Sequence, residues 1–263
     1  MLHFNTLVVV QIITESFPIS SSGHLMLIQC IGNFFSCLNV SKIYLLSSDI
    51  VTYFIHMPTV IVVAVFFYKK WWSLIFNWRR MWPIIIKLIV FTWIVDVMTA
   101  TIFLLARKTV FTFPLYIGFA CTALVLFSLR YCPTSIQSRS CTFFLALVLG
   151  IVQGAAFLPG VSRFAVVYTA LRWWRFTPQK AFTITWMVHW PLIFAAASLS
   201  SGLMIINPTL GDFITRSLLL NMGIAAIGAI AGLYMMYYLA CSYRLWLISI
   251  YMIVPTLLAY FMC

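Results

Sequence analysis

The sequence predicts an all-α polytopic membrane protein built as an inverted repeat. Each half would be a re-entrant helix-loop-helix hairpin followed by three transmembrane helices. Three observations carry this. Of 263 residues, 64% are hydrophobic and 8% charged, where a soluble domain carries about 25% charged residues. Six apolar runs are long enough to span a bilayer. Two further apolar runs are broken midway by Pro, Gly and Ser. A disordered chain is excluded by the hydrophobicity. Nucleic-acid binding is excluded because the net charge of +12 is not gathered on a polar domain.

The spans read as 49–68, 84–105, 111–130, 181–205, 217–240 and 245–263. The broken runs are 5–31, interrupted by Pro18-Ile19-Ser20-Ser21-Ser22-Gly23-His24, and 142–171, interrupted by Pro159-Gly160-Val161-Ser162-Arg163. Irregular backbone at membrane depth is tolerated only inside protein or along a cavity, so both read as hairpins. The positive-inside rule supports this. With 142–171 re-entrant, eleven Lys and Arg fall on one face, among them Lys69, Lys70, Arg79, Arg80, Arg172 and Arg175. Four fall on the other: Lys42, Arg107, Lys108 and Arg216. A full span there would leave the split nearly even. The favoured orientation puts the N-terminus outside. The whole chain, 1–263, reads as one membrane domain, with halves of about 1–130 and 131–263. Three spans per half is an odd number, so the halves run in opposite directions, and such repeats often meet at a site near the midplane.

The N-terminus has no Lys or Arg before its first apolar run, so no cleaved signal peptide is expected. The seven cysteines form no metal-ligand pattern. Cys30 and Cys37 could pair if they face an oxidising side, and the sequence leaves this open. Trp71, Trp72, Trp78 and Trp82 flank basic residues and read as an interfacial belt.

Ionisable residues at membrane depth are costly, about 2.5–3.5 kcal/mol for a charge at the bilayer centre, and point to function. Glu15, His24 and Arg163 all fall in the broken runs. Gln11 and Glu15 are four apart and share a helix face. An amide oxygen and a carboxylate suit a hard cation such as Mg²⁺ that borrows substrate oxygens and water. Ser20, Ser21, Ser22 and Gly23 offer hydroxyls and backbone N–H groups to an anion, and a Ser beside His24 offers a nucleophile with a base. Arg163 has the fork that grips phosphate, and Gly160 and Ser162 stand in the turn before it. His56 and His189 read as helix-packing residues. Asp96, mid-span, should face the bundle interior, and Asp49 and Asp212 should be solvated. Together the two tips suit phosphate chemistry at membrane depth, hence a substrate held by a lipid tail.

These residues resemble the undecaprenyl-diphosphatase family of bacterial inner membranes. Glu15-Ser16-Phe17-Pro18-Ile19-Ser20-Ser21-Ser22-Gly23-His24 is similar to its first signature, with Gln11 completing a Glu/Gln-x-x-x-Glu motif. His56-Met57-Pro58-Thr59 resembles its following helix. Gln153 and Pro159-Gly160-Val161-Ser162-Arg163 resemble its second signature. The resemblance implies a multi-pass inner-membrane enzyme that hydrolyses undecaprenyl diphosphate, recycles the cell-wall lipid carrier and confers bacitracin resistance. It implies Mg²⁺ or Ca²⁺ held by Glu15 and Gln11, Ser21 or His24 as nucleophile, and a diphosphate clamp of Arg163 with Ser162 beside it. The sequence leaves a homodimer open. Phe164-Ala165 stands where the family has Ser-Gly, which removes a hydroxyl and a flexible residue beside the clamp. The competing readings are a lipid-phosphate flippase, which needs the anion clamp but no nucleophile, and a family member weakened at Phe164-Ala165.

Overall fold

The computed structural model describes residues 2–34, 53–110, 113–134, 142–206 and 216–263. Asp49, Asp212 and Cys37 lie outside them. The described residues are helical, with no strand among them. The order is α1 (Leu2–Glu15), α2 (Ser21–Phe34), α3 (Met57–Phe66), α4 (Tyr68–Phe76), α5 (Trp78–Val110), α6 (Leu115–Ser128), α7 (Phe143–Ala155), α8 (Arg163–Trp173), α9 (Pro178–Ile206), α10 (Arg216–Cys241) and α11 (Ile248–Met262). Single 3₁₀ turns follow α6 and precede α11.

Among the described residues, three helices are long and apolar enough to cross a bilayer: Pro178–Ile206, Leu218–Cys241 and Leu245–Met262. The other three expected spans coincide with shorter apolar helices, Met57–Phe66, Ile89–Ile102 and Leu115–Tyr131. The length, apolarity and outward-facing side chains of these helices make this a membrane protein. Tyr234, Tyr238, Ile250, Ile253 and Phe261 project from α10 and α11. Such a surface is far too apolar for water.

Both broken runs fold as helix–turn–helix pairs. α1 ends at Glu15, and the turn through Pro18 leads to α2 at Ser21. α7 ends at Ala155, and the turn through Pro159 leads to α8 at Arg163. The starts are chemically fixed. Thr142 Oγ1 accepts from the Leu145 amide and caps α7, and Ser162 Oγ accepts from the Ala165 amide and caps α8. Hydroxyls inside apolar helices bond back to their own carbonyls, as Thr185 does to Ala181 and Ser200 to Ala196.

Each hairpin packs on helices from the other half of the chain. α1 lies on α10 and α2 on α11, while α7 lies on α5 and α8 on α6. α6 and α11 pair closely with one another. The two turns meet at the centre through glycine. A Cβ on Gly23 would lie 2.8 Å from Gly160 Cα and 2.9 Å from the Phe119 ring. Gly160 itself has φ +83°, a conformation that favours glycine, and its position leaves no room for a side chain against the α6 backbone. Thr122 of α6 ties this turn down by donating to Gly160 O and accepting from the Ser162 amide, both at 2.9 Å.

Phe164 sits in an aromatic core, its ring in contact with those of Tyr168, Phe182 and Trp186. Trp71 packs on Trp190 and Trp72 is exposed, so the expected belt splits between a packed and an outward ring. Asp96 is half-buried and lies against Gln153 of α7, inward as expected. Cys30 bonds to Cys263, not to Cys37. The reason is tertiary: α2 packs on α11, which brings residues 233 apart in sequence to a Cα separation of 5.4 Å.

Candidate active site

A cavity of about 240 Å³ opens between the two turns. α1 contributes Gln11 and Glu15, the start of α2 contributes Ser21 and Ser22, and α8 contributes Arg163. Ser20, Ser162, His56 and His189 complete its polar wall.

Glu15 is its organising group. Oε2 accepts from Gln11 Nε2 at 3.2 Å and from Ser21 Oγ at 3.2 Å, and His56 Nδ1 lies 2.9 Å away. A buried carboxylate is tolerable only with such partners. Arg163 adds positive charge near it. The i, i+4 spacing on α1 delivers Gln11 to Glu15, and the tight turn at Pro18 folds Ser21 back over the end of α1.

Ser20 holds that turn in a demanding conformation. Its φ is +62°, unusual for a residue with a side chain. Its carbonyl accepts from the His24 amide and from His24 Nδ1, and its hydroxyl accepts from the Gly23 amide. Strain of this kind costs of order 1–3 kcal/mol and persists where the surroundings fix it.

Ser21 is the first residue of α2 and Arg163 the first of α8. Two helix N-termini therefore meet the cavity wall, and the positive ends of both dipoles bear on whatever occupies it. Arg163 reaches across Phe157, 5.8 Å from the ring centroid.

Of the residues singled out in the sequence, Gln11, Glu15, Ser20, Ser21, Ser22, Ser162 and Arg163 line this one cavity. Gly23 and Gly160 do not line it but set the approach of its walls. Ser162 is chiefly a cap for α8, holding Arg163 in place. His24 stands elsewhere. Nδ1 donates to Ser20 O at 2.8 Å, which leaves Nε2 to accept from Tyr251 Oη at 3.0 Å. Its ring stacks on Tyr251 and meets the edge of Phe119. The basic group beside Ser21 is Glu15. Gln153 also lies outside the cavity, against Asp96.

His56 and His189 were expected to serve packing, and both are on the cavity wall. The signal that finds them is the one that found Glu15: an ionisable residue at membrane depth. What hid them is that their partner, Glu15, is far away in sequence.

Phe164 is buried in the aromatic core while one side faces the cavity, and Ala165 donates its amide to the Ser162 cap. Arg163 is therefore placed by the Ser162 cap and the aromatic core around Phe164.

Among the described residues, no three His, Cys, Asp or Glu cluster as a metal cage. A hard cation that keeps waters and borrows phosphate oxygens needs fewer protein ligands. Gln11 Oε1 is buried with no hydrogen-bond partner, next to the Glu15 carboxylate. An orphaned amide oxygen beside a carboxylate is the donor set such an ion takes, so Mg²⁺ or Ca²⁺ fits.

The chain aligns with an undecaprenyl-diphosphatase of Borrelia recurrentis at 27% identity, covering 96% of this chain and 95% of that one. One from a Thermotoga species (strain RQ2) is 28% identical, with 96% of each covered. That of Thermotoga maritima is 30% identical over 74% of this chain and 76% of its own. Residues 5–258 match the model of the family described as bacitracin resistance protein BacA. The chain belongs to this family.

Proposed function

We propose that the protein hydrolyses undecaprenyl diphosphate to undecaprenyl phosphate and inorganic phosphate, and so recycles the lipid carrier of cell-wall synthesis. The observation that carries this is the bond from Ser21 Oγ to Glu15 Oε2 at the cavity wall, with Arg163 facing it. A transporter needs an anion clamp but not a hydroxyl already paired with a base. Family membership and the three named relatives point the same way.

In the reaction, Arg163 and the N-termini of α2 and α8 hold the diphosphate. Glu15 takes the Ser21 proton as Oγ attacks the terminal phosphorus in line with the bridging oxygen. That oxygen leaves on undecaprenyl phosphate, and the positive groups stabilise charge on the equatorial oxygens. Glu15 releases that proton to solvent; water then attacks the phosphoserine, giving its proton to Glu15, which passes it to Ser21 Oγ as the P–O bond breaks and inorganic phosphate leaves. Bound at Glu15 and Gln11, Mg²⁺ or Ca²⁺ would neutralise phosphate charge. His24 positions the turn through Ser20.

The finer architecture is an inverted repeat with two re-entrant hairpins. The crossed packing, first hairpin on α10 and α11 and second on α5 and α6, is what interlocked halves of opposite direction produce. The location is the bacterial inner membrane, crossed several times.

The test is phosphate release from farnesyl or undecaprenyl diphosphate by detergent-purified protein with Mg²⁺ or Ca²⁺. Release that is metal-dependent and abolished by Arg163→Ala and Glu15→Ala supports the reading. No release from well-folded protein sinks it in favour of lipid-phosphate transport.

A further inference from the structure

A second cavity, about 360 Å³, lies on the far side of Phe17 from the polar one. Its surface is wholly apolar. Ile13 and Phe17 of the first hairpin face Met235, Met236 and Leu239 of α10, and Tyr251 of α11 closes it. Thr14 and Phe17 belong to the walls of both cavities. Thr14 turns its hydroxyl back to Val10 O at 2.6 Å, so it presents only a methyl group to either.

The seat of Phe17 is built. A Cβ on Gly232 would come within 2.8 Å of its ring, so glycine on α10 lets that ring approach the helix backbone closely. Met235 and Tyr251 are half-exposed, which opens the groove between α10 and α11 toward the surrounding lipid. Tyr251 is anchored from behind, its hydroxyl donating to His24 Nε2, so its ring offers an apolar face at a fixed place.

We propose that this groove binds the first isoprene units of the substrate, a deepening that rests on the function proposed above. The diphosphate occupies the polar cavity, the chain passes over Phe17 and the Thr14 methyl, and its remainder leaves between α10 and α11 into the bilayer. Three features select this occupant. The groove adjoins the anion site, with Thr14 and Phe17 lining both. It is apolar throughout, as a linear hydrocarbon requires. Two flexible methionines can follow the kinks of a methyl-branched chain. Its volume is in the range of small-molecule sites, roughly 300–1,000 Å³, enough for a segment and too small for a long tail.

The experiment has two arms. A farnesyl diphosphate analogue carrying a photoreactive benzophenone is irradiated with wild-type protein in detergent, and the adducts are mapped by mass spectrometry. Adducts on the α10 segment around Met235–Leu239, suppressed by farnesyl diphosphate and not by phosphatidylglycerol, are expected. Adducts elsewhere overturn the proposal, and equal suppression by phosphatidylglycerol makes the groove an ordinary acyl-chain site, which also overturns it. The second arm fills the groove with Met235→Trp and, separately, Leu239→Trp. The kcat/KM preference for farnesyl over isopentenyl diphosphate should shrink at least tenfold. An unchanged preference overturns the proposal. Failure of wild type to hydrolyse either diphosphate defeats the proposed activity, while the labelling arm still decides the groove.

Discussion

Ser21 Oγ donates to Glu15 Oε2 across 3.2 Å, joining the start of α2 to the end of α1 at the cavity between the hairpin turns. The same oxygen faces Gln11 Nε2 and His56 Nδ1. The proposed nucleophile Ser21, the proposed cation ligand Gln11 and His56 thus all meet one oxygen of the proposed base Glu15, so changes at any of them should be non-additive.

Ser21→Ala should lower kcat at least 10³-fold with little change in farnesyl diphosphate binding, since the attacking oxygen is gone and the clamp remains. Glu15→Gln should lower it about 10²–10⁴-fold, the usual scale of general-base loss, and should also raise the Mg²⁺ concentration needed for half-maximal rate. The double variant should be no worse than Ser21→Ala alone. Steady-state kinetics at varied Mg²⁺ decide this. Additive losses would separate the two residues.

Arg163→Lys should not rescue Arg163→Ala. A lysine keeps the charge but loses the planar fork, and it lies at a helix start where geometry is fixed by the Ser162 cap. Both variants should raise KM for the diphosphate at least tenfold. Equal activity of Arg163→Lys and wild type would reduce the clamp to simple charge.

His24→Gln should keep measurable turnover with an unshifted pH–rate profile, because an amide can still donate to Ser20 O and accept from Tyr251. His24→Ala should lose thermal stability as well as rate, by about 1–3 kcal/mol for the buried partners left unpaired. Loss of one limb of the pH profile in His24→Gln would instead make this residue the base.

Gly23→Ala should destabilise the protein by about 1–3 kcal/mol or prevent folding, because the obstacle is the Gly160 backbone and not a flexible side-chain end. Gly202→Ala is the matched control, since nothing lies within 4 Å of its added Cβ. Thermal unfolding of the two variants in detergent measures the difference. Equal melting temperatures would mean that the turns do not meet closely.

Helix class and hairpin breaks were legible in the sequence because both are local. Pro18 and Pro159 interrupt apolar runs, and Ser162 with Ala165 is a cap readable from four residues. The meeting of Glu15 with Arg163 was legible only as chemistry, since nothing in the spacing of two residues so far apart brings them together. His56 and His189 look like isolated packing residues until the fold brings both to the cavity that Glu15 lines, with His56 Nδ1 2.9 Å from its carboxylate. His24 lies three residues from Ser21, yet the helix carries its ring toward Tyr251, a placement that sequence spacing does not reveal. Sequence spacing offers Cys37 as a partner for Cys30, while the packing of α2 on α11 chose Cys263.

The Cys30–Cys263 bond has a consequence for how the molecule is made. Its partners are 233 residues apart, with all of α3 to α11 between them. Every intervening helix must be inserted and seated before the sulfurs can meet, so the covalent closure acts as a late seal on an assembly already complete. Both sulfurs also fall on the face that the positive-inside pattern assigns to the outside, where thiols oxidise. Production in a host whose export side is kept reducing should therefore yield a chain that is fully inserted but unsealed, easier to unfold and equally able to find its native packing.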